Sequence, residues 1–280
     1  MSNKPGTTYH VTEADCRTAF DQCRGCNYVS SNERYRDCAD RVYLYIAEDT
    51  DLVNAYAARI NDQARSYLQQ VYSEVNWNKY DHIMIITAGM LRWVTVMSAI
   101  CEYMDRTRKI GEAKKMLIWA ANRLTRSCAA TDFVARFADQ FGLQCDGRRE
   151  EVCRIYAIAM LIGIFGHELG HMCLGHCGET AQREQSSVSR NNERSADMFA
   201  SSVAQSLANG FAGAVGAVFA DISFMWMDGK HNKMYGGKES EFATHPMSRE
   251  RVEMFIDSFN TVLATSPISA KMLRKLMKDA

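Results

Sequence analysis

The chain has 280 residues, with 33 basic and 33 acidic side chains and a formal net charge of zero. This balance argues against a protein that coats nucleic acid through bulk positive charge and against a polyacidic tail. Hydrophobic residues make up 47% and charged residues 24%, which excludes a disordered chain. Only 3 prolines interrupt the sequence, so we expect a mainly helical protein of the α+β class.

Residues 1–45 form a polar N-terminal segment that lacks the basic start and apolar run of a secretory signal. We therefore expect a cytoplasmic protein whose cysteines are thiols or metal ligands rather than disulfides. The segment contains four cysteines whose thiolates could together bind one zinc ion tetrahedrally, although their spacing is irregular. These cysteines are Cys16, Cys23, Cys26 and Cys38. The alternative is that these cysteines are thiols on helices.

The next part of the chain carries the first regular patterns. Residues 37–72 show a mixed pattern that fits helix or short strand, and residues 81–87 are apolar and β-branched, which predicts a strand. The helical spacing of apolar residues predicts helix over residues 90–126. Basic side chains dominate residues 106–126, so this stretch could bind an anionic regulatory partner, with a solvated helix face as the alternative.

The second half of the chain predicts a series of helices. Residues 150–175 fit a long apolar helix, residues 180–192 fit a mobile polar loop, and another helix begins near Asn192. The uncharged stretch 198–220 contains the turn signal Asn209-Gly210 and predicts two short packed helices. A membrane-inserted segment is the alternative there, but we expect no integral membrane span.

The tail of the chain is amphipathic. Basic residues alternate with Met and Leu over residues 268–279, which predicts a closing helix that packs on the protein or touches a membrane surface. We divide the chain into an N-terminal cysteine-containing segment (1–45), a main domain (46–265) and a C-terminal amphipathic helix (266–280).

The sequence His167-Glu168-Leu169-Gly170-His171 lies inside the long predicted helix. Residues four apart on a helix differ by about 40° in direction, so both imidazoles project from one face and can bind one zinc ion. Glu168 lies beside them, where it can act as a general base. The alternative is an accidental pair of surface histidines.

A catalytic zinc site needs a third protein ligand and leaves the fourth position open. Glu193 lies on the next predicted helix, and Asp197 follows it by one helical turn. Glu193 could bind the metal while Asp197 accepts a hydrogen bond from a ligand histidine and fixes its orientation. His176 and Cys177 are weaker candidates for the third ligand. The alternative for the two acids is an exposed helix N-terminus.

A further element is His245-Pro246, with Arg251 six residues after the histidine. The proline holds His245 in extended geometry at the end of a loop. A pair of hydrogen-bond donors there could stabilise the oxyanion of a tetrahedral intermediate. The alternative is that His245 caps a helix.

The order of these motifs resembles metallopeptidase family forty-eight, the gluzincin group of HtpX-like heat-shock peptidases and CAAX prenyl endopeptidases. The resemblance covers about residues 50 to 260. Two upstream segments, 53–57 and 86–91, are similar to the family's Asn-Ala segment and to its strand ending in Gly-Leu-Leu. The other matching sequences are His167-Glu168-Leu169-Gly170-His171, Leu174-Gly175-His176, Glu193-Arg194-Ser195-Ala196-Asp197, His245-Pro246 and Arg251.

The resemblance implies a zincin-like fold, in which an active-site helix packs on a small β-sheet and an edge strand holds an extended substrate. It assigns residues 46–265 to a metallopeptidase domain with one catalytic Zn²⁺. It also implies roles for particular residues within the motifs. The zinc ligands are His167, His171 and Glu193; the general base is Glu168; the transition-state stabilisers are His245 and Arg251; and Asp197 supports a ligand.

These patterns together predict a zinc-dependent endopeptidase that acts on protein or peptide substrates. One alternative is a latent protease, gated by residues 180–192 or by His245 and released when a partner, for example a nucleic acid, binds residues 106–126. Another is a non-catalytic, zinc-stabilised binding module. A purely structural site has no need of a general base, so Glu168 favours an enzyme over the binding module.

Overall fold

A computed structural model describes residues 9–124, 128–142, 147–177, 186–207, 210–234 and 249–278. Within these ranges the protein consists of helices around one small mixed sheet. The predicted α+β class with mainly helical content is therefore confirmed. The zincin-like assignment within that class stays a prediction.

The sheet contains three strands in the described part of the chain, in the order β1-β3-β2. They are β1 (Val42–Ala47), β2 (Ala55–Arg59) and β3 (His82–Thr87). β1 runs parallel to β3 with Val42 opposite His82, whereas β2 runs antiparallel to β3 with Ala55 opposite Ile86. The strand predicted at residues 81–87 is β3. Between β2 and β3 the chain forms α4 (Asp62–Val71) and a 3-10 turn (Trp77–Lys79).

The N-terminal segment folds into α1 (Glu13–Gly25), α2 (Asn27–Ser30) and α3 (Glu33–Asp40). Thr12 and Asp15 begin α1 with reciprocal hydrogen bonds between side chain and backbone, which satisfy N–H groups at the helix start. The segment packs on the rest of the protein, since α1 lies against α8 (Arg148–Cys173).

The zinc site suggested for Cys16, Cys23, Cys26 and Cys38 stays a prediction, and the structure gives it no support. Within the described residues, only one group of three side chains converges closely enough to hold a metal, and it contains no cysteine. Cys16 and Cys23 are two helical turns apart on the buried face of α1, and Cys23 Sγ donates to the carbonyl oxygen of Ile162, 3.6 Å away. These thiols are small apolar side chains of the helix interface.

Long helices form the centre of the protein. Helix α8 packs against α1, α5 and the two helices that follow it in the chain, and most of its side chains after Cys153 are buried. The helix predicted for residues 90–126 is confirmed as α5 (Ala88–Thr107) and α6 (Ile110–Arg123). They are separated at Arg108, which has a left-handed φ of 59°. Helix α7 (Phe133–Phe141) precedes α8.

The C-terminal half continues with α9 (Ser186–Ser206), α10 (Gly210–Met234), α11 (Arg249–Ser258), α12 (Asn260–Ala264) and α13 (Ala270–Leu276). The predicted loop at residues 180–192 is wrong from Ser186 onward, where α9 has already begun. The polar composition there continues into a solvent-facing side of the helix, on which Arg194 and Ser195 are exposed. Residues 180–185 lie outside the described residues.

The two short helices predicted for residues 198–220 are instead the adjoining ends of two long helices, α9 and α10. By length and composition, one helix in the described part of the chain could cross a membrane. This helix is α8, and 67% of its most apolar window is buried inside the protein. A core helix of this length has the same properties. The cytoplasmic location stays a prediction.

The closing helix α13 packs on the protein. Leu273 and Leu276 are buried, and Trp226 Nε1 donates to the carbonyl oxygen of Leu276 at 2.8 Å. The division into segments 1–45, 46–265 and 266–280 stays a prediction, and its first boundary falls within β1.

Candidate active site

The candidate site begins on α8, where His167 and His171 project from one face of the helix. Their Nε2 atoms lie 3.0 Å apart, so both rings point the same nitrogen at one position. The i, i+4 spacing predicts this arrangement, because two residues one turn apart lie almost above each other on a helix.

Helix α9 approaches this face because the contact contains glycines and alanines. A Cβ atom on Gly166 would lie 3.1 Å from the Cα atom of Ala200, and one on Gly170 would lie 3.1 Å from the Cα atom of Ala196. Side chains larger than hydrogen would separate the two helices. The absence of those side chains lets the first half of α9 lie directly beside the histidines.

This close approach brings Glu193 to the histidine pair. Its Oε2 atom lies 3.4 Å from His167 Nε2, and its Oε1 atom lies 3.4 Å from His171 Nε2. One donor atom from each residue falls within 4.8 Å of the others, and all three side chains are nearly buried. The structure therefore brings together the three residues that the sequence predicted as ligands.

The donor set fits a zinc ion by chemistry and by spacing. Two imidazole nitrogens and a carboxylate are a known ligand set of catalytic zinc. With metal–ligand distances of about 2.0–2.1 Å, tetrahedral donor atoms lie about 3.3 Å apart. The observed separations of 3.0 to 3.4 Å agree with that value.

Asp197 lies one turn after Glu193 on α9 and connects the site to α11. Its Oδ1 atom lies 2.9 Å from His167 Nδ1. Arg251 donates to both oxygens of Asp197, from Nε to Oδ2 at 2.6 Å and from Nη2 to Oδ1 at 2.7 Å. Arg251 Nη1 also lies 3.2 Å from Glu193 Oε2. One guanidinium therefore holds both acidic side chains of α9.

These contacts shift the pKa values of the buried groups. Burial disfavours the protonated ring of His167, but the hydrogen bonds to Asp197 and Glu193 outweigh this effect and raise its pKa to about 10. Burial would raise the pKa of Asp197, but its hydrogen bonds with Arg251 and His167 lower the pKa below the usual range. The carboxylate form of Asp197 is thus favoured behind His167.

Glu168 follows His167 on α8 and is 3% exposed. The charge of its carboxylate affects the pKa values of two nearby side chains, His167 and Cys177. It is one of the groups that favour protonation of His167, and after burial it contributes most to raising the pKa of Cys177 to about 12. The predicted general base is thus adjacent to the candidate ligands in space as well as in sequence.

His176 lies on the other side of the His171 ring. The chain turns after α8 at Gly175, which has a φ of 83°, and His176 Nδ1 comes within 3.1 Å of His171 Nδ1. The position that faces His167 and Glu193 is Nε2 of His171, so His176 contacts the far edge of a candidate ligand. His245 lies outside the described residues, and its predicted role stays a prediction.

Asp221 on α10 is a residue that the sequence analysis missed. Burial raises its pKa well above the usual range, and the negative charge of Asp197 adds to this shift. Its Oδ2 atom is buried and accepts no hydrogen bond from the described part of the chain. The sequence contained a signal for this residue, because Asp221 is the first charged residue after the long uncharged stretch of residues 198–220.

Comparison with known protein families identifies the class of the protein. The profile of the family described as peptidase U49 matches residues 105–270, which is more than half of the chain and includes the whole candidate site. The chain therefore belongs to the peptidase U49 family, and the prediction of a peptidase is confirmed. No curated protein and no solved structure shows significant similarity to the chain. The assignment to metallopeptidase family forty-eight stays a prediction.

Proposed function

We propose that this peptidase is a zinc-dependent endopeptidase, with His167, His171 and Glu193 as its zinc ligands. The observation that supports the proposal is the convergence of two imidazole Nε2 atoms and one carboxylate, 3.0 to 3.4 Å apart. Three ligands from the protein leave one coordination position for solvent or substrate, as in catalytic zinc sites, whereas structural sites are usually closed by four protein ligands.

Zinc would polarise the scissile carbonyl group and lower the pKa of a coordinated water molecule. Glu168 then acts as the general base: its carboxylate accepts the proton of the attacking water and passes it to the leaving amine. Asp197 accepts a hydrogen bond from Nδ1–H of His167, which fixes the tautomer with the Nε2 lone pair available to the metal.

Arg251 holds the acidic side chains of α9 in position. It binds both oxygens of Asp197 and approaches Glu193, so it fixes two carboxylates that would otherwise repel each other. The resemblance implies a further role for His245 and Arg251 in stabilising the oxyanion. This role belongs to the proposal.

An extended peptide is the substrate class that the sheet supports. Strand β2 is an edge strand of the described sheet and packs against α8. Edge strands present unpaired backbone N–H and C=O groups, to which an extended peptide can add as another strand. This position agrees with the substrate-binding edge strand that the resemblance implies.

The structure gives no specific support to a regulatory partner at residues 106–126. Several of the basic side chains there already have acidic neighbours on α5 and α6. Arg106 Nε lies 2.7 Å from Glu102 Oε1, and Lys115 Nζ lies 2.9 Å from Glu112 Oε1. A stretch whose cations are paired locally has the features of a solvated helix face.

The proposal is tested by measuring metal content and hydrolysis in the same preparations. We expect about one zinc ion per wild-type chain, and loss of that zinc in Glu193→Ala. Glu168→Gln should retain the zinc and lose about 10²- to 10⁴-fold in the rate of unfolded casein cleavage, because the general base is gone. The exposed variant Glu13→Gln is the control and should match the wild type.

Three results would contradict the proposal. The first is full zinc occupancy in Glu193→Ala together with zinc loss in His176→Ala, which would assign the third ligand to His176. The second is casein cleavage by Glu168→Gln at the wild-type rate, which would exclude this residue as the base. Zinc binding without hydrolysis under any condition would favour the non-catalytic module.

A further inference from the structure

The C-terminal end of α8 is closed by a turn that depends on glycine. Gly175 has a φ of 83°, in the left-handed region that favours glycine. Its N–H group donates to the carbonyl oxygen of Met172 at 3.1 Å, and the N–H group of His176 donates to the carbonyl oxygen of His171 at 2.8 Å. These two hydrogen bonds form the Schellman motif, a common end of helices. The motif attaches the backbone of His176 to His171.

The side chains of the same two residues also meet. His176 Nδ1 lies 3.1 Å from His171 Nδ1, and the ring centroids are 5.2 Å apart with an angle of 68° between the ring planes. His171 is buried, and His176 is half-buried. An apolar contact frequently accompanies a Schellman motif at this place, whereas here two imidazole nitrogens lie at hydrogen-bond distance. Backbone and side chain therefore both hold His176 against His171.

The opposite nitrogen of His171 faces the candidate metal position. Its Nε2 atom lies 3.0 Å from His167 Nε2 and 3.4 Å from Glu193 Oε1. A histidine that binds a metal through Nε2 carries its proton on Nδ1, where an acceptor fixes the orientation of the ring. His176 Nδ1 is such an acceptor when the proton of its own ring is on Nε2.

The two candidate histidine ligands are thus held in parallel ways. His167 Nδ1 lies 2.9 Å from Asp197 Oδ1, and His171 Nδ1 lies 3.1 Å from His176 Nδ1. The partner of His167 is a carboxylate on α9, whereas the partner of His171 is an imidazole supplied by the turn after α8. A neutral imidazole accepts a hydrogen bond without adding a second negative charge behind the ligands.

We propose that His176 is a positioning residue of the metal centre: its Nδ1 atom accepts a hydrogen bond from Nδ1–H of His171 and holds that ring with Nε2 toward the metal. The inference rests on the proposed function, since it takes His171 as a zinc ligand. It also assigns His176 a role other than that of a third ligand. The described donor atoms that converge within 4.8 Å come from His167, His171 and Glu193, and His176 is not among them.

The experiment measures the zinc affinity of the full-length protein by titration against a competing chelator. His176→Leu removes the acceptor, whereas His176→Asn keeps one, because the asparagine oxygen branches from the same carbon atom as Nδ1 of histidine. Leucine and asparagine have nearly the same shape, so the two variants differ in hydrogen bonding rather than in packing. We expect His176→Leu to weaken zinc binding by about 10- to 100-fold and His176→Asn to restore most of this loss.

His10→Leu is the matched control, because His10 is an exposed histidine that precedes α1, and this variant should bind zinc as the wild type does. A second measurement needs no variant and decides the matter if His176→Leu fails to fold. Nitrogen-15 NMR of the zinc-loaded wild type with labelled histidines reports which nitrogen of each ring carries the proton. We expect the proton on Nδ1 of His171 and on Nε2 of His176.

The outcomes separate this inference from the proposed function. A wild-type protein that binds no zinc would overturn both. Zinc binding by the wild type with an unchanged affinity in folded His176→Leu would overturn this inference alone. Equal losses of affinity in His176→Leu and His176→Asn would do the same, because the acceptor would then not be what the site requires. A His176 ring that carries its proton on Nδ1 in the zinc-loaded wild type would likewise exclude the hydrogen bond.

Discussion

Asp197 connects the candidate metal ligands to the packing of the protein. Its side chain is 1% exposed, and its two oxygens serve His167 on one side and Arg251 on the other. A buried carboxylate is stable only when its oxygens are satisfied by hydrogen bonds or opposite charges. Asp197 meets this condition through His167 of α8 and Arg251 of α11. The orientation of His167 therefore depends on Asp197 and, through Asp197, on Arg251.

We predict that Asp197→Asn weakens zinc binding by about 10- to 100-fold, because the amide removes the charge that orients and polarises His167. A titration of zinc against a competing chelator measures the effect. Ser202→Ala is a suitable control, since Ser202 is on the same helix and its hydroxyl donates outward to the Met198 carbonyl oxygen at 2.9 Å. An unchanged zinc affinity in folded Asp197→Asn would show that the contact plays no part in metal binding.

The candidate site shows which residues a sequence pattern can identify. His167, Glu168 and His171 follow from helical geometry alone, and the spacing of Glu193 and Asp197 follows from a second helix. The contact between Asp197 and Arg251 depends on how α11 docks, which local spacing does not encode. From the sequence, His176 was an alternative third ligand. In the structure, the turn at Gly175 places it against Nδ1 of His171, whereas Nε2 of His171 faces His167 and Glu193.

The contact of α8 with its neighbours is made by small residues. Gly163 and Gly166 face α10 and α9 respectively, and Gly216 of α10 faces α8 in return. A Cβ atom on Gly216 would lie 2.5 Å from the Cβ atom of Ala159, closer than packed side chains allow. The helices therefore pack at a distance that only glycine permits at this point.

We predict that Gly216→Ala destabilises the protein by about 1–3 kcal/mol, because α10 must move away from α8. Urea unfolding measures the change. The matched variant is Gly111→Ala on α6, where an added Cβ would meet nothing within 4 Å. Alanine there should stabilise the helix by up to about 1 kcal/mol. Equal effects in the two variants would show that the α8–α10 contact is not tightly packed.

Element boundaries separate the accurate predictions from the wrong ones. Strand β3 was predictable from a run of apolar and β-branched residues, α8 from a long apolar stretch, and α5 and α6 from the helical spacing of apolar residues. The start of α9 was not predictable, because residues 186–192 are polar and such a composition is typical of a loop. The role of the N-terminal cysteines could not be decided from the sequence, because thiols that pack between helices are identical in sequence to thiols that bind a metal.

At the scale of the whole molecule, Asp15 ties the N-terminal helices to α8. Its Oδ2 atom accepts hydrogen bonds from the backbone N–H and the hydroxyl of Thr12, at 3.0 and 2.8 Å, and Arg154 Nε donates to Oδ1 at 2.7 Å. Burial would raise the pKa of Asp15, but the bonds from Thr12 and Arg154 lower it below the usual value. The carboxylate form therefore stabilises the folded state.

We predict that Asp15→Asn lowers the free energy of unfolding at pH 7 by about 1–3 kcal/mol, because hydrogen bonds to a charged acceptor are lost. A carboxyl group with a lowered folded-state pKa stabilises the protein above its unfolded pKa of about 3.9, and this contribution disappears as the pH falls through the folded pKa. The difference between the two proteins should thus shrink in acid. Urea unfolding from pH 7 to pH 3 measures it.

Glu13→Gln is the control for the acid experiment. Glu13 lies on the same turn of α1 and pairs with Arg17, but both side chains are more than half exposed. Exposed ion pairs contribute about 0–1 kcal/mol, so this variant should follow the wild type at each pH. A difference between Asp15→Asn and the wild type that stays constant down to pH 3 would contradict the role of the carboxylate.

The position of α8 in the chain has a consequence for how the protein is made. Helices α1 and α5 precede it, whereas α9 and α10, which complete its surroundings, follow it. A growing polypeptide therefore exposes much of this apolar helix until its later neighbours have left the ribosome, and Arg251 emerges later still. Synthesis itself thus delays assembly of the candidate site until the last of these helices has emerged.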